Sequence, residues 1–142
     1  MSEPMQQPVV EGAKALRHVT RFRCIGPQCA DSCCVGWQIL VDNDHYVRLR
    51  DAFSASRDDR ALFHESVDRL PRERRTTSCF AQMRFRQGTR CSFLRDDLLC
   101  TIQARFGEAL LPSGCAVYPR SIALIGQRFE VSAALSCPEA AR

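Results

Sequence analysis

Cys24-Ile25-Gly26-Pro27-Gln28-Cys29-Ala30-Asp31-Ser32-Cys33-Cys34 places four cysteines in eleven residues. Thiolate is a soft ligand, suited to zinc or to an iron–sulfur cluster. Gly26, Pro27 and Gly36 break regular structure around these sulfurs, so the stretch reads as a loop shaped by whatever it holds. A disulfide knot and a run of buried thiols are the alternatives. Four later cysteines, Cys91, Cys100, Cys115 and Cys137, fall at turns and element ends, where loop positions can converge. Eight thiolates could supply two four-ligand sites, or one site and a set of spectators. A ninth, Cys79, lies on the apolar face of a predicted strand and reads as a small buried hydrophobe.

The spacing separates the metals weakly. A zinc ribbon would carry two Cys-x2-Cys knuckles; here the early spacing is x4, then x3, then adjacency. Such irregularity suits an iron–sulfur cluster better. His18, His45 and His64 read as surface or packing residues rather than ligands. No G-x-G-x-x-G loop opens a dinucleotide-type fold.

Other parts of the chain must position these sulfurs. Its 142 residues are the size of one domain, and 45% hydrophobic with 25% charged residues is ordinary for a globular protein. Net charge is +4, spread along the chain and carried by arginine except at Lys14, which allows an acidic or nucleic-acid partner but does not argue for one. The Arg69 to Arg75 run reads as a solvated connecting loop, with no interleaved aromatics for base stacking. No apolar run approaches a membrane span, and Met1 to Pro8 lacks a signal-peptide centre. A cytoplasmic setting follows as the expectation, one in which clustered thiols bind metal more often than they pair.

Residues 1–20 read as a flexible N-terminal arm and 21–142 as a cysteine-rich metal- or cluster-binding domain. Ala13 to Thr20 fits either a helical turn or an entry strand. Trp37 to Val41 is a short extended run. Asp42, Asn43 and Asp44 then signal a helix start, followed by Tyr46, Leu49 and Phe53 at helical spacing. Asp58 and Asp59 begin a second helix with Leu62, Phe63, Val67 and Leu70 on its apolar face, ended by Pro71. From Cys79 the period falls to two, predicting a strand to Arg86, a turn at Gln87-Gly88 and a return over Thr89 to Leu94. Leu99, Ile102 and Phe106 mark a short helix with Cys100 in its first turn and Gly107 as its cap. Ile122 to Ile125, Gly126-Gln127 and Arg128 to Leu135 predict a second hairpin. The expected fold is α+β: a small irregular cysteine-rich domain with two or three helices and two short β-hairpins organised around a metal or iron–sulfur site.

With these residues in place, the chain resembles the flagellin lysine-N-methylase family, itself related to zinc- or iron-chelating domains with a CxxxCxxCC-like loop. Phe22-Arg23-Cys24-Ile25-Gly26 through Cys33-Cys34-Val35-Gly36-Trp37 is similar to the family's opening motif. Cys91-Ser92-Phe93-Leu94, Leu99-Cys100-Thr101-Ile102-Gln103 and Phe106-Gly107-Glu108 match its middle. Cys115-Ala116-Val117-Tyr118-Pro119-Arg120 and Ser136-Cys137-Pro138-Glu139-Ala140-Ala141-Arg142 match the end of its cysteine-rich region. The resemblance covers about residues 20 to 142.

It implies a Cys-ligated iron–sulfur or metal centre, with 4Fe-4S favoured and zinc the alternative. It further implies S-adenosylmethionine as methyl donor and surface lysines of flagellin as substrate. The implied ligands are Cys24, Cys29, Cys33, Cys34, Cys91, Cys100, Cys115 and Cys137, and no catalytic base is implied. The CxxxCxxC motif of radical S-adenosylmethionine enzymes is absent, because Cys33 is followed directly by Cys34. Family members extend well past the SCPEAAR-like segment on which this chain ends. The chain therefore reads as a fragment, a truncated product or a stand-alone metal domain. The expectations are a lysine methylase, a zinc- or iron-chelating binding module without chemistry of its own, or, third, an electron-transfer protein.

Overall fold

A computed structural model describes residues 12–142. In chain order these form β1 (Lys14–Ala15), α1 (Arg17–Arg21), β2 (Leu40–Val41), α2 (Asn43–Ala52), α3 (Arg57–Ser66), β3 (Val67–Arg69), β4 (Ala81–Met83), β5 (Phe85–Arg86), β6 (Arg90–Cys91), α4 (Thr101–Phe106), α5 (Ser113–Val117), β7 (Arg120–Ile125) and β8 (Arg128–Ala133). The mixed helix and strand content agrees with the expected class. Five helical segments replace the expected two or three, because α1 and α5 are single turns of five residues, too short to print a period. The chain divides into two compact units. One comprises Met1–Cys33 with Val117–Arg142, the other Cys34–Ala116. Residues 1–11 of the expected arm lie outside the described residues.

The first unit is built on a three-stranded sheet in the order β1-β8-β7. The β7–β8 hairpin forms where alternation predicted it, with Ile125 opposite Arg128 across Gly126-Gln127. Gly126 adopts φ 64°, a positive value that a two-residue hairpin loop needs at its first position and that glycine takes without a Cβ clash. Lys14–Ala15 pairs in parallel with β8, and α1 follows at once, so both readings of Ala13 to Thr20 are realised in turn. Among the described residues Phe22, Cys137 and Ala140 form a small buried cluster, with Tyr118 and Ala133 packed against them, and Val19 of α1 is also buried. Leu124 and Phe129, directly opposed on the hairpin, stay exposed. Arg120 is buried, its guanidinium 5.1 Å from the Phe22 ring.

The second unit packs α2 and α3 with a sheet in the order β2-β4-β3. Asp42 caps α2 as its type predicts, accepting the His45 amide at 2.9 Å on one oxygen and His45 Nδ1–H at 2.7 Å on the other. Tyr46, Leu49 and Phe53 then line one face and are buried. Phe53 meets Phe93 and Phe106 at ring separations of 5.4 and 5.0 Å. The cap of α3 is Ser56 rather than Asp58, its hydroxyl taking the Asp59 amide at 3.0 Å.

Two expectations fail here. The second helix was expected to reach Leu70, but it stops at Ser66 and Val67–Arg69 becomes a strand against Ala81–Met83. Val67 is β-branched and buried beside the sheet, so tertiary pairing overrides the helical spacing. The strand expected from Cys79 to Arg86 is cut into β4 and β5 by Arg84, whose amide turns to the Ser66 carbonyl at 2.8 Å. Cys79 precedes β4 in a loop, half-buried, with its amide on the Thr76 hydroxyl at 3.0 Å. The return pairing is short, Phe85 with Cys91 and Arg86 with Arg90, around the predicted Gln87-Gly88 turn.

Candidate metal centres

All nine cysteines are free thiols in the structure, so the disulfide alternative is not what this fold presents. In the first unit Cys24, Cys29, Cys33 and Cys137 come together. A 3-10 turn over Gly26–Gln28 folds the loop between the first two, and Cys29 donates its amide to the Gly26 carbonyl at 3.0 Å. That turn aims the Gly26 amide at the Cys24 sulfur, 3.4 Å away, as backbone donors commonly do toward thiolate ligands. Cys137 arrives from the segment after β8, its amide held by Ala134 at 3.1 Å. Burial raises the Cys24 pKa against the Gly26 hydrogen bond, and nearby thiolates at Cys33, Cys29 and Cys137 add to the rise. Cys24 and Cys33 are exposed, Cys29 half-buried and Cys137 buried.

Tyr118 stands beside this set, bonded to the Ser136 hydroxyl at 3.1 Å. Burial pushes its phenol up, with the charges of Cys137, Cys33 and Asp31 acting the same way. Sequence reasoning gave neither Tyr118 nor Ser136 a role. The only signal was their place in the Cys115 and Cys137 motifs, because neither residue type marks a metal site.

In the second unit Cys34, Cys91, Cys100 and Cys115 all belong to one hydrophobic cluster, Cys91 buried and the others packed against it. The Cys34 carbonyl accepts the Cys91 amide at 2.9 Å, and Val35 bridges Arg90, so the end of the early loop is clipped to β6. Leu94 bridges Cys100, which sets Cys100 as the residue capping α4 rather than inside its first turn. Beside Cys115, Gly114 lies under the Trp37 ring, where an added Cβ would come within 3.3 Å. The Cys34 thiol donates to the Cys100 sulfur and, against the cost of burial, lowers the Cys100 pKa to about 6. The amides of Gln103 and Ile102 help, although the sulfur closes no cap hydrogen bond of full geometry. Cys100 is therefore a thiolate near neutral pH, the form that binds soft metals. Cys91 is shifted the other way, first by burial.

The donor sets fit soft metals. Four thiolates on one zinc ion would stand roughly 3.8 Å apart, given a Zn–S bond of about 2.3 Å. No three cysteine sulfurs here lie within 4.8 Å of one another. A cluster, whose thiolate ligands sit on separate irons, does not require that spacing. Among the described residues one ligand group is that tight, namely Asp42, Asp44 and His45. It is explained by the cap of α2, since both Asp42 oxygens already accept from His45. Cys79 joins neither thiol set. His18 lies in α1 and His64 in α3, the latter against the Phe63 ring.

The second unit also carries an open cleft of about 500 Å³, lined by Leu62, Arg86, Ser92, Leu94, Thr101 and the Arg95–Asp97 turn. Arg95 pairs with Asp97 at 2.6 Å. No helix among the described residues is long and apolar enough to cross a membrane.

No protein-family profile matches the chain, and no solved structure does. Curated proteins do. It is 29% identical over 124 residues to a lysine-N-methylase of Salmonella typhimurium and 29% identical over 122 residues to one of Salmonella choleraesuis, covering 85% of this chain each time. The chain spans 29% of the length of both. It is also 28% identical over 125 residues to the flagellar biosynthetic protein FliU of Salmonella muenchen, spanning 69% of that protein. The resemblance to the flagellin lysine-N-methylases carried by the cysteine motifs thus holds across most of this chain.

Proposed function

We propose that the chain is the cysteine-rich, metal-binding part of a flagellin lysine-N-methylase-like protein, which transfers a methyl group from S-adenosylmethionine to surface lysines of flagellin. The similarity to proteins named lysine-N-methylase over 85% of the chain supports this reading most strongly. The proximity of Cys24 to Cys29, Cys33 and Cys137, and of Cys100 to Cys34 and Cys91, with Cys115 packed on the same hydrophobic cluster as the latter three, supports the metal part of it. Cys24, Cys29, Cys33 and Cys137, and separately Cys34, Cys91, Cys100 and Cys115, would hold iron–sulfur clusters, or zinc only if the sulfurs drew closer than they stand here. A bound cluster supplies one-electron chemistry and zinc supplies a fixed Lewis acid. The chain's own groups do the rest: they order the loop, keep backbone donors on the sulfurs and bury one face of each site.

The test is to purify the protein anaerobically, incubate it with flagellin and S-adenosylmethionine, and weigh tryptic peptides. A gain of one methyl mass on lysine peptides is expected. Metal-loaded protein that adds no methyl group and gives no calorimetric signal with the donor would instead establish the binding-module reading for this chain.

A further inference from the structure

We propose that the chain carries two separate four-thiolate metal centres, one in each unit, and that the adjacent residues Cys33 and Cys34 serve different centres. The inference rests on the thiols being metal ligands and does not depend on methyl transfer.

The early loop supplies three sulfurs to the first set and one to the second. Its first three cysteines share a turn-rich segment that lies beside the later Cys137. Its last, Cys34, is fixed by its own carbonyl to Cys91 and donates its thiol to Cys100. Three later cysteines thus gather with Cys34 in the main hydrophobic cluster. Each set reaches four, the number that zinc and cubane clusters both take. The sets also differ in access: the first has two exposed members, the second none.

The test begins with protein purified anaerobically and assayed for iron, zinc and sulfide. It is then exposed to a chelator with an alkylating agent, and modified sites are located by peptide mass. Cys33 and Cys34 share one tryptic peptide, so fragment spectra must separate them. Cys24, Cys29, Cys33 and Cys137 are expected to become modified together with release of half the metal, and the other four later. Cys33→Ser and Cys34→Ser are each expected to lose half the metal, from different sets. One phase for all eight thiols, protection of only four, or an early group mixing both sets overturns the proposal. So does loss of the same half by both variants. Should either variant not fold, the order of modification in the unaltered protein decides alone. A failed methylation assay leaves this result untouched, and a single-centre result leaves methylation untouched.

Discussion

The two units solve the problem of placing four sulfurs with different materials. The second has a cluster of fourteen buried residues, Cys91 among them, whereas the cluster among the described residues of the first has three, one of them Cys137 itself. A small unit cannot bury enough apolar surface to offset the entropy of ordering its loops. In the first unit ligand binding would have to supply that free energy, because metal binding to a site absent from the unfolded chain is folding free energy. In the second unit the core would stand largely by itself, and the metal would add to it. The difference teaches that exposure and structural dependence go together here: the more accessible set is also the one its surroundings need most.

The largest expected effect follows directly. Chelation should melt the first unit while the second persists. Hydrogen exchange should show the β7 and β8 amides losing protection and those of α2 and β4 keeping it. Equal loss in both units would break the contrast. Next, Phe53→Ala should cost the second unit about 3–5 kcal/mol of unfolding free energy, the range for a buried Phe, whether or not metal is present. Phe53 is fully buried against Phe93 and Phe106. Phe129→Ala on the half-exposed hairpin face should stay within about 0.5 kcal/mol. Denaturant titration of both variants measures this.

Asp42→Ala removes the cap of α2 and should cost about 1 kcal/mol. Burial raises the Asp42 pKa, but the hydrogen bonds from His45 outweigh it and hold the carboxyl below its ordinary range. Its contribution is therefore complete above about pH 4, the ordinary aspartate value, and is lost as pH falls through the depressed one. The variant should show a flatter acid limb, its deficit unchanged on acidification from about pH 7 to about pH 5. The smallest effect belongs to Cys79→Ser. Metal content should not change, and stability should move by no more than about 0.5 kcal/mol; a loss of metal there would mean the odd cysteine had been misread.

Local signals survived into the structure where they were self-contained. The Asp42 cap, the Tyr46-Leu49-Phe53 face and the Gly126-Gln127 turn need only their neighbours to form, and all three are where the pattern put them. The end of α3 was not readable, because Val67 is recruited by Met83 of β4, sixteen residues on. The eight cysteines of interest were visible by type and motif, but their division was not. Cys33 and Cys34 look equivalent in a sequence, and only the folded path sends one toward Cys24 and Cys137 and the other toward Cys100. Tyr118 was invisible as a neighbour of the first set for the same reason: its proximity is made by β7 and β8, not by spacing.

The central claim is that thiols from distant parts of the chain hold inorganic ions in two places. Native mass spectrometry of anaerobically purified protein tests it most directly. The account predicts a folded charge distribution at the 16.0 kDa chain mass plus the mass of two metal centres. A folded species at the bare chain mass, with every thiol open to alkylation, would contradict it.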